Sequence, residues 1–162
     1  MLIGIDICNT IADVKSEIEK VVGPNPTPSV YFHPMVNDMF FENNLWIFDQ
    51  AQPIGGSVEA LQRLSLINRL VYITSRPVEA MDITRNWFKK HGYPMAEVII
   101  TRNKPCVAKT LGIDLAIDDS PFEISGYLAA NVNVWVKAQV YNQQFGNRFE
   151  WPDFIRSLAR SA

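Results

Sequence analysis

Met1-Leu-Ile-Gly-Ile-Asp6-Ile-Cys8-Asn9-Thr10 is the stretch that decides how the chain folds. Leu2 to Ile5 is a short apolar run without polar alternation, the pattern of a strand buried on both faces in a parallel sheet. Asp6 falls where that strand runs out. A carboxylate there is costly to bury, yet well placed as a nucleophile or metal ligand in the crevice that α/β sheets open at the C-terminal ends of their strands. The plain alternative is a turn or N-cap aspartate, and the rest of the chain weighs against it.

Beyond the Asn9-Thr10 turn, the apolar spacing predicts a helix over Ala12 to Val22 that stops at Gly23. Pro24-Asn-Pro26-Thr-Pro28 suits neither helix nor central strand and marks the start of an insertion over residues 24–52. Tyr31, Phe32, Phe40, Phe41, Trp46 and Phe48 crowd into it. Such rings either form a lid that stacks on a flat ligand, with Phe40, Phe41, Trp46 and Phe48 as the candidates, or a small satellite core. After Pro53-Ile-Gly-Gly-Ser57 a helix begins, and strands and helices then alternate. The strands are 70–73, 98–100, 115–117 and 132–136, and the helices are 78–91, 105–111 and 122–130. A closing helix follows from Trp151, with Phe154, Ile155 and Leu158 on one face. Alternation of this kind predicts parallel crossovers, hence an α/β domain of residues 1–23 and 53–162 around a five-stranded parallel sheet.

The composition bounds the function. With 162 residues, 48% of them hydrophobic, the chain suits one core with an insertion. A net charge of −2 gives no general surface for nucleic acid or anionic membrane, so an anionic partner must be recognised locally. Cys8 and Cys106 form neither a disulfide framework nor a paired zinc motif, the first residues lack a signal-peptide pattern, and no apolar run reaches membrane-span length. A reduced, cytoplasmic setting is the expectation. Nothing in the sequence speaks to oligomeric state.

The chemistry gathers at the strand ends: Asp6, Thr74-Ser75, Thr101 and Asp118-Asp119, with Lys104 shortly after the third strand. Converging carboxylates repel unless a hard divalent cation sits between them, and oxygen-only ligation favours Mg²⁺. The hydroxyls and Lys104 point to a phosphate. Singly, each residue has a bland reading as a turn, strand end or solvated charge; their recurrence at one topological position does not.

Asp6-Ile-Cys8-Asn9-Thr10 resembles the D-x-D-G-T motif of the haloacid-dehalogenase (HAD) superfamily of aspartate-nucleophile phosphotransferases. Val71-Tyr-Ile-Thr74-Ser75 resembles its second motif, Lys104 its third and Ile117-Asp118-Asp119-Ser120 its fourth. Ile99-Ile-Thr101-Arg102-Asn103-Lys104, Ile11-Ala12-Asp13 and Pro53-Ile-Gly-Gly-Ser57 are similar to segments of its 5'(3')-deoxyribonucleotidase branch. The resemblance implies a Rossmann-like three-layer HAD fold with a small cap and a Mg²⁺-dependent phosphatase acting on a small phosphomonoester, a nucleotide. It implies that Asp6 attacks phosphorus, that Asp6, the Cys8 carbonyl and Asp119, with Asp118 beside it, hold Mg²⁺, and that Thr74, Ser75 and Lys104 bind phosphate. A receiver domain also uses an acidic pocket with Thr and Lys, but in a different order.

Cys8 departs from the pattern, because the superfamily places there an aspartate that serves as general acid and base. A thiol donates weakly and accepts a proton from water poorly, although metal binding through the carbonyl survives. Asn9 in place of Gly is tolerable at a left-handed turn. Two expectations follow: a phosphatase, or a catalytically impaired HAD-like binding or regulatory protein that keeps the metal and phosphate site.

Overall fold

The apolar run after Met1 becomes strand β1 (Leu2–Ile5), and it takes a central place in the sheet, as a strand apolar on both faces must. The computed structural model describes residues 1–31 and 33–160, and of the last helix's side chains those of residues 155 and 157–160 are left out. Phe32 and the side chains of Ile155 and Leu158, invoked above, therefore lie outside the described residues. The chain continues through α1 (Val14–Val22), α2 (Asp38–Asn43), α3 (Trp46–Gln50), α4 (Ser57–Ser65), β2 (Arg69–Thr74), α5 (Met81–His91) and β3 (Glu97–Ile100). It ends with α6 (Lys104–Leu111), β4 (Leu115–Asp118), α7 (Pro121–Ala129), β5 (Asn133–Lys137), β6 (Arg148–Phe149) and α8 (Trp151–Arg160).

The strand order is β3-β2-β1-β4-β5-β6 and every pairing is parallel. The expected five strands become six, because Arg148 and Phe149 pair with Val136 and Lys137 at the sheet edge. Two residues are too few to leave an alternation in the sequence. The chain builds outward from β1 through β2 to β3, then returns to β4 on the other flank. That reversal opens a crevice at the C-terminal ends of β1 and β4, where Asp6 and Asp118 stand.

Helices cover both faces. Ile3, Ile5, Tyr72 and Ile117 pack with Ile18, Ile47, Phe48, Leu61, Trp87 and Trp151 on one side, while Val71, Ile73, Ala116 and Val134 pack with Ala108, Ile124 and Tyr127 on the other. On the second side α6 and α7 approach so closely that a Cβ on Gly126 would lie 2.6 Å from Pro105 Cγ, so only glycine fits there. Trp151 is fully buried and its indole N–H donates to the Thr10 carbonyl at 2.8 Å, tying α8 to the loop after β1.

Caps fix where the helices begin. α1 starts at Val14, two residues later than the spacing predicts, because Asp13 caps it: the carboxylate accepts from Ser16 N–H at 3.2 Å and from Ser16 Oγ at 2.6 Å. Asn103 caps α6 and Ser120 caps α7, which set the positions of Lys104 and of the turn after Asp118-Asp119. No helix among the described residues is long and apolar enough to cross a membrane.

Candidate active site

Asp6 leaves β1 with its N–H donating to the Ile117 carbonyl at 2.9 Å. The chain then folds back on itself: the amides of Ile11 and Ala12 both donate to the Ile7 carbonyl, and the Asn9 amide donates to Ala12. Asn9 takes φ 60°, the left-handed conformation expected of it, and its side chain accepts from Lys15 N–H at 2.8 Å. Gln139 holds the Asn9 carbonyl at 2.9 Å. The loop carrying Asp6, Cys8 and Thr10 is thus fixed by residues far along the chain.

Lys104 occupies the first position of α6, where the helix dipole disfavours a cation, and it is 3% exposed. It is held there by Asp6, 2.5 Å from its ammonium, and Asp118, at 3.0 Å. Burial alone would pull the Lys104 ammonium down, but Asp118 and Asp6 outweigh it and raise Lys104 well above the ordinary lysine range. Burial pushes the Asp118 carboxyl up to about 7 against the lowering pull of Lys104. Asp119 is also held well above the carboxylate range, by burial first and then by Asp6 and Asp118, against hydrogen bonds from Tyr141 and Thr10. Thr10 Oγ1 donates to Asp119 at 2.8 Å and the Tyr141 hydroxyl donates to its other oxygen.

Ligand oxygens of Asp6, Asp118 and Asp119 lie within 4.8 Å of one another, and all three residues are buried. Three carboxylates face one buried ammonium, the donors are all oxygen, and each carboxylate oxygen keeps a free lone pair beyond its hydrogen bond. That set fits a hard divalent cation of the Mg²⁺ type.

In front of this floor opens a cleft of about 520 Å³. Asp6, Cys8, Ser75, Arg76, Lys104 and Glu123 line its polar part, and Tyr31, Val36, Phe41 and Phe48 bring the 24–52 insert over it. Thr74 is buried at the end of β2 behind Ser75, does not line the cleft, and accepts from Arg76 N–H at 3.4 Å. Of the four candidate rings, Phe41 and Phe48 stack 5.4 Å apart and face the cleft. Phe40 sits edge-on behind Phe41 and Trp46 is 45% exposed; neither lines it. Asp13 is engaged as the α1 cap and does not line the cleft.

Five residues at the site went unassigned from sequence. Thr10 lies inside the first motif and Arg76 directly follows Thr74-Ser75, so both stood beside a signal. Tyr31 was one ring among six. Glu123, 7% exposed with one carboxylate oxygen buried and unpaired, sits in the first turn of α7 four residues after Asp119. Tyr141 lies in a short 3₁₀ turn after β5 and left no signal at all. Burial pushes Glu123 up, and it pushes the Cys8 thiol up as well despite the adjacent Arg76.

Known proteins carry the same architecture. A HAD-family hydrolase of Deinococcus radiodurans, solved with phosphate and sodium bound, superposes with a TM-score of 0.66 at 11% identity, covering 99% of this chain and 95% of that one. Two curated relatives, of Oceanobacillus iheyensis and Bacillus cereus, both bear the name "Putative nucleotidase". The first is 24% identical over 63% of this chain and 59% of its own length, the second 22% identical over 87% and 74%. The chain thus spans less than two thirds of the Oceanobacillus protein. The family model described as 5' nucleotidase, deoxy (pyrimidine), cytosolic type C matches residues 9–157, and with the parallel sheet and the strand-end site in place the chain belongs to this nucleotidase family of the HAD superfamily.

Proposed function

We propose that the protein is a Mg²⁺-dependent phosphatase that hydrolyses a small phosphomonoester, a nucleotide, through an aspartyl phosphate on Asp6. The observation that carries this reading is the buried Asp6–Lys104–Asp118 ion triad, with Asp119 in ligand range, at the floor of a cleft large enough for a nucleotide. Lys104 orients Asp6 toward the cleft and, with Ser75, meets the phosphoryl oxygens. Mg²⁺ bound by Asp6, the Cys8 carbonyl and Asp119, with Asp118 adjacent, would neutralise charge on the transferring phosphoryl group. Asp119 is the better ligand of the pair because hydroxyls, rather than an ammonium, hold its oxygens.

Residues 24–52 act as the cap of a core made of 1–23 and 53–162, and the Phe41–Phe48 stack offers an apolar wall to a base. Membership of the nucleotidase family favours turnover over a silent binding role. Free Cys8 and Cys106 support a reducing, cytoplasmic setting. A screen of phosphomonoesters with and without Mg²⁺ tests the reading, with Asp6→Asn as control. Turnover that needs Mg²⁺ and disappears in Asp6→Asn is expected. Equal turnover by Asp6→Asn, or no turnover on any ester together with no mass gain on exposure to acetyl phosphate, overturns it.

A further inference from the structure

The cleft wall holds a cation that the reaction just described leaves idle. Arg76 is 3% exposed, yet it reaches the cleft. Its Nε donates to Cys8 Sγ at 3.3 Å, its Nη1 donates to Thr84 Oγ1 at 2.9 Å, and Phe48 lies flat against it with the ring centroid 4.5 Å from the guanidinium carbon. Nη2 is buried and has no hydrogen-bond partner among the described residues. The other cations of the cleft are matched: Lys104 by Asp6 and Asp118, Arg102 by Asp38 at 2.8 Å. Arg76 has a thiol, a hydroxyl and a ring about it and, among the described residues, no carboxylate in ion-pair range. A buried guanidinium so surrounded is costly unless an anion completes it.

Its place in the cleft says which anion. On the phosphatase reading the phosphoryl group sits over Asp6 and Lys104, and the organic part of the ester lies toward Phe41, Phe48 and Val36, which line the same cleft. Arg76 bridges these two regions, with Nε on the Cys8 side chain that follows the nucleophile and its face against Phe48. On that reading the ester oxygen, which joins the two parts of the substrate, comes nearest Arg76.

We propose that the guanidinium of Arg76 forms the leaving-group side of this site, its charge stabilising the ester oxygen as negative charge develops on it. This rests on the phosphatase reading. As the Asp6 oxygen–phosphorus bond forms, the phosphorus–ester oxygen bond breaks and its electron pair goes to the ester oxygen. A guanidinium holds its proton, so Arg76 stabilises that anion without protonating it, and the proton comes from water. The site thereby answers electrostatically the need that a neutral Cys8 leaves unmet.

The test compares wild type, Arg76→Gln and Arg76→Lys, with Mg²⁺, on a series of phenyl phosphates of graded leaving-group acidity, and on acetyl phosphate with phosphorylation read by intact mass. For Arg76→Gln the least activated ester should lose about 10²-fold in rate, the loss typical of deleting one oxyanion donor, while acetyl phosphate changes only about fivefold or less. The dependence on leaving group should steepen, and Arg76→Lys should recover part of it. Because that dependence is a ratio within one preparation, partial misfolding of a variant does not alter it. A loss by the same factor across the whole series, in both variants, makes Arg76 merely structural and overturns the proposal while the phosphatase reading stands. A wild type that neither turns over any ester nor gains phosphate from acetyl phosphate overturns both.

Discussion

Replacing Lys104 by Met tests the electrostatic centre of the fold and of the site together. Met has similar length, so the change removes charge with little loss of volume. The variant leaves Asp6 and Asp118, previously 2.5 and 3.0 Å from the ammonium, without their cation. Breaking a buried pair by deleting one partner costs about 3–5 kcal/mol. Repulsion gives an independent check: two charges within 4.8 Å at an effective dielectric near 20 interact by about 3.5 kcal/mol. For a domain of this size the cost corresponds to a fall in Tm of about 6–20 °C. The loss belongs to the ionised carboxylates, so it should grow as pH rises: Asp118 is pushed up to about 7 with Lys104 beside it and goes higher without it, so the loss is smaller at pH 5 than at pH 8. Added Mg²⁺ should restore more stability to Lys104→Met than to wild type, because the cation then meets uncompensated carboxylates. Thermal melts at both pH values, with and without Mg²⁺, measure all of this. A Tm within 2 °C of wild type at pH 8, or the same loss at both pH values, would refute the reasoning.

Mg²⁺ affinity should rise with pH through about 7, since the ligands must shed protons and both Asp118 and Asp119 are raised; calorimetry in two buffers of different ionisation enthalpy should show proton release. In the metal-free protein the sign is opposite: the folded state binds more protons than the unfolded one, so the Asp118 contribution to stability is full below 3.8 and lost as pH climbs to about 7, as denaturant melts across that range will show. Cys8→Asp should place a carboxylate against Arg76 and supply the missing base for water, speeding hydrolysis of the aspartyl phosphate by about 10²–10⁴-fold. Intact mass under acetyl phosphate should then show less phosphorylated protein than wild type, and an unchanged level would count against it. Phe48→Ala should cost about 3–5 kcal/mol because the ring is buried against Arg76, whereas Trp46→Ala, half in solvent, should cost about 1 kcal/mol or less; equal melts for the two would contradict the packing described.

The sequence by itself determined the sheet and the floor of the site. Runs such as Leu2–Ile5 and Leu115–Asp118 are apolar on both faces, and a strand buried on both faces belongs inside a parallel sheet; the residue that ends each such strand then faces the crevice wherever the topology reverses. Asp6, Asp118 and Asp119 were legible for that reason, since local pattern alone fixes which end of a strand they occupy, and Lys104 because it follows β3 within a few residues at the start of α6. Tertiary structure decided what no local pattern encodes. It set Arg76 on Cys8 across 68 residues, hung Tyr141 on Asp119 from a turn after β5, and added a two-residue edge strand. It also chose among the rings of the insert, turning Phe41 and Phe48 inward and leaving Trp46 at the surface. An aromatic side chain carries the same hydrophobic signal in either position. Which one is buried depends on what the segment meets when the chain folds, and here Phe48 meets the guanidinium of Arg76.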